Sequence, residues 1–202
     1  MMLLLRAARL KKRQETIGKY DDFERVASLN SLYEAAREAS KGVDWKASVQ
    51  RYNSLLLFNI SKTRAELLAG KDIRRGFICF DICERGKLRH IKSVHFSERV
   101  VQKSFCTNIL YPTFTRSLIY DNGASQKGKG TQFALDRLTT HLRRHFRKYG
   151  REGGILLIDF SDYFGNVAHE PLLKIYRQIF TDPRVIALGM SFISAFGDKG
   201  LG

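Results

Sequence analysis

The sequence lacks any apolar run that approaches the roughly 20 residues needed to span a bilayer. The apolar residues 1–5 are too few for a signal peptide, and basic residues follow them at once. Proline is scarce, and no segment rich in proline or serine separates the chain into independent domains. These absences argue against a membrane-spanning protein and predict a cytoplasmic one.

Cysteine is also scarce, and its spacing is not that of a metal site or a disulfide scaffold. Cys79, Cys83 and Cys106 are an odd number, and no pair has the Cys-x-x-Cys spacing of zinc ligands. The sequence therefore predicts free and mostly buried thiols in a reducing compartment.

Acidic residues are outnumbered: 20 aspartates and glutamates face 35 lysines and arginines, which gives a net charge of +15. Such an excess favours a polyanionic partner, above all a nucleic acid. An anionic membrane surface is a weaker alternative, because no long amphipathic helix dominates the sequence. Charge identifies a class of partner and leaves the reaction open.

Apolar residues that recur every three or four positions predict a mostly helical protein of the α+β class. Residues 1–20 form a basic lead-in. Helices are expected over residues 21–41, 45–68, 97–111, 132–149, 171–180 and 183–196. Strands are expected over 76–81 and 87–92, and the turn residues between them predict a β-hairpin.

The predicted hairpin is rich in cations, among them Lys87 and Arg89. One interpretation is a solvated edge, since edge strands commonly carry lysine and arginine. The other interpretation is a mobile basic finger that closes over phosphates.

A glycine- and lysine-rich loop at 121–131 raises a further class of function. Gly123-x-x-x-x-Gly128-Lys129 follows the P-loop pattern of nucleoside triphosphatases, but Gly130 stands where Ser or Thr must hold Mg²⁺. A P-loop is therefore disfavoured. We expect instead that the loop and the helix after it contact nucleic-acid phosphates. The residues predicted to do so are Lys127, Lys129, Arg143, Arg144 and Arg147.

Residues 155–158 are four consecutive apolar residues and predict a short buried strand. The strand ends on a carboxylate, Asp159, which is costly to bury unless it is paired or bound to a metal. One interpretation is an ordinary strand–helix junction, where Asp159 or Ser161 caps the next helix. The other is a rigid strand end that holds an oxygen ligand for Mg²⁺.

Several stretches occur in an order that is typical of one enzyme family. They are Lys87-x-Arg89-x-Ile91, Glu98-Arg99-Val100-Val101-Gln102, Ile109-Leu110-Tyr111-Pro112, the loop at 122–131, and Asp159-x-x-x-Tyr163-Phe164-x-Asn166-Val167-x-His169. Together they resemble bacterial reverse transcriptases of the group II intron and retron kind. The resemblance implies a fingers subdomain over 21–152, a partial palm over 153–202 and an incomplete right-hand polymerase fold.

The resemblance implies a chemistry that uses two Mg²⁺ ions, one at the primer 3′-hydroxyl and one at the incoming triphosphate. Asp159 would bind both ions as the catalytic carboxylate, and the carbonyl of Phe160 would bind one of them.

The resemblance also implies a nucleotide site. Backbone N–H groups near Asp162 and Tyr163 would lie beside the phosphates, and Arg89, with Lys87, would grip the triphosphate. Phe164 would exclude a ribose 2′-hydroxyl by steric clash. The alternative for Phe164 is a plain core aromatic residue.

The sequence departs from this family in two respects. No Tyr-x-Asp-Asp motif or thumb follows within these residues, and Gly165 stands where many relatives carry Asp. We therefore expect a fragment of an RNA-directed DNA polymerase that is inactive alone. Its partners would be an RNA template, an RNA/DNA primer duplex, dNTP and the missing palm and thumb half, in cis or in trans. The alternative is a non-catalytic RNA-binding module, like the group II intron proteins that help to fold their intron RNA.

Overall fold

The structure, a computed structural model, describes residue 15, residues 17–197 and residues 199–200. The predicted basic lead-in lies largely outside the described residues, at 1–14 and 16. Within the described part of the chain, helices dominate and one antiparallel hairpin is the only sheet. The α+β class is therefore confirmed, and the polymerase palm stays a prediction.

The helices and strands follow one another in a simple order. They are α1 (Phe23–Ala27), α2 (Leu29–Ser40), α3 (Ala47–Ser54), α4 (Leu56–Leu68), β1 (Phe77–Glu84), β2 (Lys87–Val94), α5 (Phe96–Phe105), a π-helical turn (Cys106–Leu110), α6 (Tyr111–Phe114), a 3₁₀ turn (Thr115–Ser117), α7 (Thr131–Tyr149), α8 (Tyr163–Asn166), α9 (His169–Ile179) and α10 (Pro183–Ser194).

The chain divides into two compact units. Among the described residues, the first unit contains those up to 113 and those from 163 onward, and the second contains residues 114–162. These units describe packing, and the division into fingers and palm at residue 152 stays a prediction.

Two of the predicted helices are each divided in the structure. The segment predicted as one helix over 21–41 forms α1 and α2, because Ser28 has an extended backbone and its hydroxyl accepts the Ser31 N–H at 3.1 Å. The segment predicted over 45–68 forms α3 and α4, which are separated at Leu55 (φ −123°, ψ 37°). Hydrophobic periodicity runs across both breaks and therefore does not reveal them.

The predicted β-hairpin is confirmed, with strands that are longer than expected. β1 and β2 pair antiparallel from Phe77 opposite Val94 to Glu84 opposite Lys87. Arg85 and Gly86 connect them with φ angles of 51° and 76°. Positive φ at both central residues is what a type I′ turn requires.

The helix predicted over 97–111 is followed by further helical turns on both sides of Pro112. α5 passes into the π-helical turn over Cys106–Leu110 and then into α6, which contains Pro112. A π turn departs from the regular i to i−4 hydrogen bonding, so it accommodates the missing N–H and the ring of proline. The chain therefore stays helical across this position.

The core of the first unit lies where α2 packs against α5. Val26, Leu32 and Val100 are fully buried there. Ser104 is buried as well, and its hydroxyl donates to the Val26 carbonyl at 2.8 Å. This polar group is therefore satisfied inside an apolar core.

α9 and α10 approach each other closely at a glycine. A Cβ on Gly189 would lie 2.5 Å from Cε1 of Tyr176, so a side chain there would collide with the ring. Burial raises the pKa of Tyr176 to about 12. The phenol therefore stays neutral in the interface between the two helices.

The three cysteines are free thiols, as predicted, but all of them are exposed. The expectation of mostly buried thiols is wrong. Cys79 and Cys83 lie on β1, which is exposed along nearly its whole length. Cysteine is often buried as a residue type, but this hairpin leaves both side chains exposed.

The second unit contains α7 and the loops on either side of it. α7 confirms the helix predicted over 132–149, and one of its sides is apolar. The apolar residues recur every three or four positions and are all exposed: Leu135, Leu138, Leu142, Phe146 and Tyr149. None of the helices in the described part of the chain has the length and hydrophobicity of a membrane-spanning segment.

Candidate functional site

The hairpin register places the two cations predicted to bind a triphosphate on one face. Lys87 lies opposite Glu84, and Arg89 lies opposite Ile82. Opposite residues of an antiparallel pair share a face, and so do alternate residues along a strand. Nε of Arg89 lies 3.3 Å from Oε2 of Glu84, and both side chains are more than half exposed. We call this surface the Arg89 face; it comprises Ile78, Phe80, Ile82, Glu84, Lys87, Arg89, Ile91 and Ser93.

The opposite face of the hairpin carries a different set of charges. Lys92 lies there, opposite Cys79, and His90 lies opposite Asp81. Nδ1 of His90 is 2.5 Å from Oδ1 of Asp81. β2 therefore supplies a cation on each face, which makes Lys92 a natural comparison for Arg89.

The structure does not form the buried strand predicted at 155–158. Residues 152–160 have no regular secondary structure, and Leu157 is 90% exposed. A strand needs a hydrogen-bonded neighbour, and the only sheet in the described residues is the β1–β2 hairpin. Asp159 consequently lies on an exposed segment, and the cost of burying its carboxylate does not arise.

A turn with an unusual backbone follows Asp159. Asp162 has a φ of 46°, a left-handed conformation that Asp adopts more readily than most residues. α8 then begins at Tyr163, whose ring meets the ring of Phe164 edge to face, with centroids 5.6 Å apart. Phe164 is 62% exposed, which excludes the alternative of a core aromatic residue.

His169, at the end of the same motif, stabilises the fold. It is buried, and its Nε2 lies 2.7 Å from the Gly200 carbonyl oxygen. The Gly200 N–H in turn donates to the Val167 carbonyl at 2.8 Å. Sequence reasoning treated His169 only as part of a motif and missed this anchoring contact, since nothing in the pattern connects residues so far apart in the chain.

The residues at Asp159 do not by themselves complete a metal site. Nowhere in the described ranges do three or more histidine, cysteine, aspartate or glutamate side chains form a group that could hold a metal ion. Asp159 offers one carboxylate and Phe160 one carbonyl oxygen, whereas each Mg²⁺ ion is octahedral and two ions need ligands for both. We therefore derive no metal-dependent step from these residues.

Lys129 is engaged within its own loop. Its Nζ donates to the Tyr120 carbonyl at 2.6 Å and lies 4.8 Å and 4.9 Å from the ring centroids of Tyr120 and Phe133. These contacts hold the ammonium group between a carbonyl and two aromatic rings. They argue against a P-loop, whose lysine reaches a bound phosphate. The phosphate-binding role of Lys127 and Lys129 stays a prediction.

Asp121 ties this loop to α7, a contact that sequence reasoning missed. Its Oδ1 accepts a hydrogen bond from Nε of Arg137 at 2.5 Å, and its Oδ2 lies 2.6 Å from Nε2 of His141. The hydrogen bonds from Arg137 and then from His141 hold the pKa of Asp121 below its usual value. The sequence signal was the four-residue spacing of Arg137 and His141, which puts both side chains on one side of a helix.

The arginines predicted to bind nucleic acid lie on exposed turns of α7. Arg143 and Arg147 are four residues apart and share one side of the helix, and Arg144 neighbours them. The apolar stripe of α7 lies on the other side, as its spacing shows. α7 thus presents a cationic surface of the kind that contacts backbone phosphates.

A comparison of the sequence with protein-family models and with curated proteins found no match. The resemblance to reverse transcriptases therefore rests on the order and spacing of motifs within this chain. The functions proposed below use three surfaces: the Arg89 face, the exposed segment from Asp159 to Phe164 and the arginines of α7.

Proposed function

We propose that this chain is the fingers and first palm segment of a reverse-transcriptase-like polymerase. Its own task would be to hold an RNA template–primer duplex and the triphosphate of an incoming nucleotide. The order of the motifs supports this proposal, and the observation that carries it is the hairpin register. Lys87 and Arg89 share an exposed face, where Arg89 is paired with Glu84, and a polyphosphate would compete with that carboxylate for the two cations.

In this proposal the segment from Asp159 to Phe164 contacts the nucleotide sugar and the reacting phosphate. Phe164 excludes a ribose 2′-hydroxyl by steric clash, and its ring is exposed and accessible to a nucleotide. Asp159 contributes one carboxylate to nucleotidyl transfer in the complete enzyme. Since these residues do not complete a metal site, we expect no primer extension from this chain alone, and a measurable product would contradict that expectation.

A second candidate function is a non-catalytic RNA-binding module. The net charge of +15 and the exposed arginines of α7 favour it, and neither depends on Asp159. The two candidates differ in what the Arg89 face binds. In a polymerase-like hairpin only the Arg89 face binds the triphosphate. In a general RNA-binding surface both faces of the hairpin contribute equally to binding.

The variants Arg89→Gln and Lys92→Gln test this difference, because each removes one positive charge from β2, on opposite faces. Binding of dGTP is measured by titration calorimetry for both variants and for the wild-type chain. We expect Arg89→Gln to weaken dGTP binding about tenfold, as loss of a charge-assisted contact does. Lys92→Gln should leave it within twofold of wild type. Equal losses would refute a triphosphate site on the Arg89 face.

The variant Asp159→Ala tests the RNA-binding candidate, which does not use this carboxylate. If the chain only binds RNA, the affinity for a labelled RNA stays unchanged and Arg89→Gln and Lys92→Gln weaken it equally. If the chain is polymerase-like, Arg89→Gln weakens the affinity for dGTP and Lys92→Gln does not.

A further inference from the structure

A cleft of about 390 Å³ opens in the first unit between α3, α4 and the first turn of α5. Both helices contribute residues at helical spacing. From α3 come Ser48, Arg51 and Tyr52, and from α4 come Asn59, Lys62 and Thr63. Positions three and four residues apart share one side of a helix, so each helix presents a continuous strip to the cleft.

The lining of this cleft is cationic. Arg51, Lys62 and Arg75 line it, together with His95, and none of the described residues that line it is acidic. Nη2 of Arg75 lies 3.7 Å from Oε2 of Glu66, which is outside the lining. Arg51 and Lys62 form no ion pair with any described residue. Like charges gathered without a counter-ion are unfavourable unless an anion joins them.

The amino terminus of α5 faces the same cleft. His95 occupies the N-cap position, and its side chain makes no capping hydrogen bond. Phe96 and Ser97, which follow it, line the cleft. The first N–H groups of a helix have no acceptor within the helix and carry the positive end of its dipole. An uncapped helix start beside unpaired cations is a favourable place for an anion.

The wall of the cleft also contains a buried hydroxyl. Tyr52 lines the cleft and is only 9% exposed, and its hydroxyl has no hydrogen-bond partner among the described residues. Burial raises the pKa of this phenol, and the nearby Thr63 hydroxyl lowers it without lying in good hydrogen-bond geometry. This hydroxyl is shielded from solvent, so it forms part of the wall of the cleft and is not presented to a ligand.

We propose that this cleft binds a phosphate group, held by Arg51, Lys62, Arg75 and the first N–H groups of α5. The cleft is large enough for a nucleotide unit, since small-molecule sites begin at about 300 Å³. Exposed apolar surface of Leu55 borders the cleft and could contact a base or sugar. The phosphate belongs either to an RNA backbone or to a free nucleotide.

This proposal shares with the proposed function only the expectation that the chain binds RNA, and it uses none of the residues of the Arg89 face or of the Asp159 segment. The test compares two double variants with the same change in charge. Arg51→Glu with Lys62→Glu alters the cleft, and Lys46→Glu with Arg64→Glu alters exposed cations beside the same two helices. Binding of a fluorescein-labelled 20-nucleotide RNA is measured by anisotropy at several salt concentrations.

We expect the cleft variant to bind this RNA about tenfold more weakly, and the control variant to stay within about twofold of wild type. The slope of log affinity against log salt should fall by about 1.4 for the cleft variant, since each lost single-strand phosphate contact is worth about 0.7. Equal losses in the two variants would overturn the cleft site, while RNA binding itself would stand.

Titration with AMP identifies the source of the phosphate. AMP binding to wild type that is lost in the cleft variant assigns the site to a free nucleotide. If RNA binding depends on the cleft and AMP does not bind, the phosphate belongs to a polynucleotide backbone. If neither ligand distinguishes the cleft variant from its control, the proposal is refuted, whatever the hairpin does.

Discussion

Glu98 is a carboxyl group buried in the first turn of α5. Nε2 of Gln102 donates to its Oε1 at 3.2 Å. Burial raises the pKa of Glu98, and the backbone N–H of Arg75 and the charge of Arg74 partly oppose that rise. The folded state therefore binds the Glu98 proton more tightly than the unfolded state does, whose pKa is near 4.5. Its stabilising contribution is complete below that pH and is lost as the pH rises through the folded pKa.

Glu98→Gln should flatten this part of the stability profile. The wild-type chain loses free energy of unfolding as the pH rises above about 4.5 through the folded pKa of Glu98, and the variant lacks this loss because an amide does not ionise. Urea unfolding between pH 4 and 7 measures both profiles. Glu34→Gln, at an exposed position of α2, serves as the control, and its stability profile against pH should run parallel to that of wild type. A Glu98→Gln profile parallel to wild type would contradict the expectation.

Single residues of the candidate site were predictable where the pattern is local. Strand alternation was enough to place Lys87 and Arg89 on one side of a hairpin, because side chains alternate with a period of two. The contacts of His169 with Gly200 and of Asp121 with α7 depend on chain folding over longer distances. The spacing of Arg137 and His141 puts both side chains on one side of α7. No local pattern identifies Asp121 or Gly200 as the partners, so these contacts were seen only in the structure.

At the scale of elements, the start of α10 is fastened to the start of α1. The Thr181 N–H, the Thr181 hydroxyl and the Asp182 N–H all donate to Oδ2 of Asp21, at 2.5, 2.7 and 3.1 Å. Arg184 adds an ion pair with Glu24 at 2.8 Å. These contacts join two segments that lie 160 residues apart in the sequence.

Asp21→Ala should destabilise the chain by about 2 to 3 kcal/mol, because three donors lose one shared acceptor. Its neighbour Asp22 offers a matched control, since it accepts a single N–H, from Glu24, as the N-cap of α1. Asp22→Ala should cost about 1 kcal/mol. Urea or thermal unfolding measures both variants. Equal losses would show that Asp21 is no more than a local cap.

Helices and strands that depend on the spacing of apolar residues were predicted well from the sequence. Those that depend on contacts with distant segments were predicted poorly. α7, α9, α10 and the hairpin follow from apolar spacing and turn chemistry. The breaks at Ser28 and Leu55 lie inside continuous apolar patterns, so they were missed. Residues 155–158 have the composition of a strand, but a strand forms only beside a neighbour to which it can hydrogen-bond.

At the scale of the whole molecule, the net charge predicts a polyanionic partner, and both that partner and the reaction stay predictions. The excess of cations is reflected in the exposed arginines of α7, the Arg89 face and the cleft between α3, α4 and α5. Sequence reasoning did not find the cleft, because its lining comes from segments that are far apart in the chain. The polymerase interpretation depends on what binds near Asp159.

The most direct test is to locate a primer terminus on the chain. A template–primer duplex with 4-thiothymidine at the primer 3′ end is bound, irradiated and digested, and the cross-linked peptides are mapped by mass spectrometry. We expect cross-links within residues 155–166, around Asp159 and Phe164. Cross-links confined to α7 or to the cleft, with none in residues 155–166, would contradict the polymerase proposal and leave an RNA-binding module.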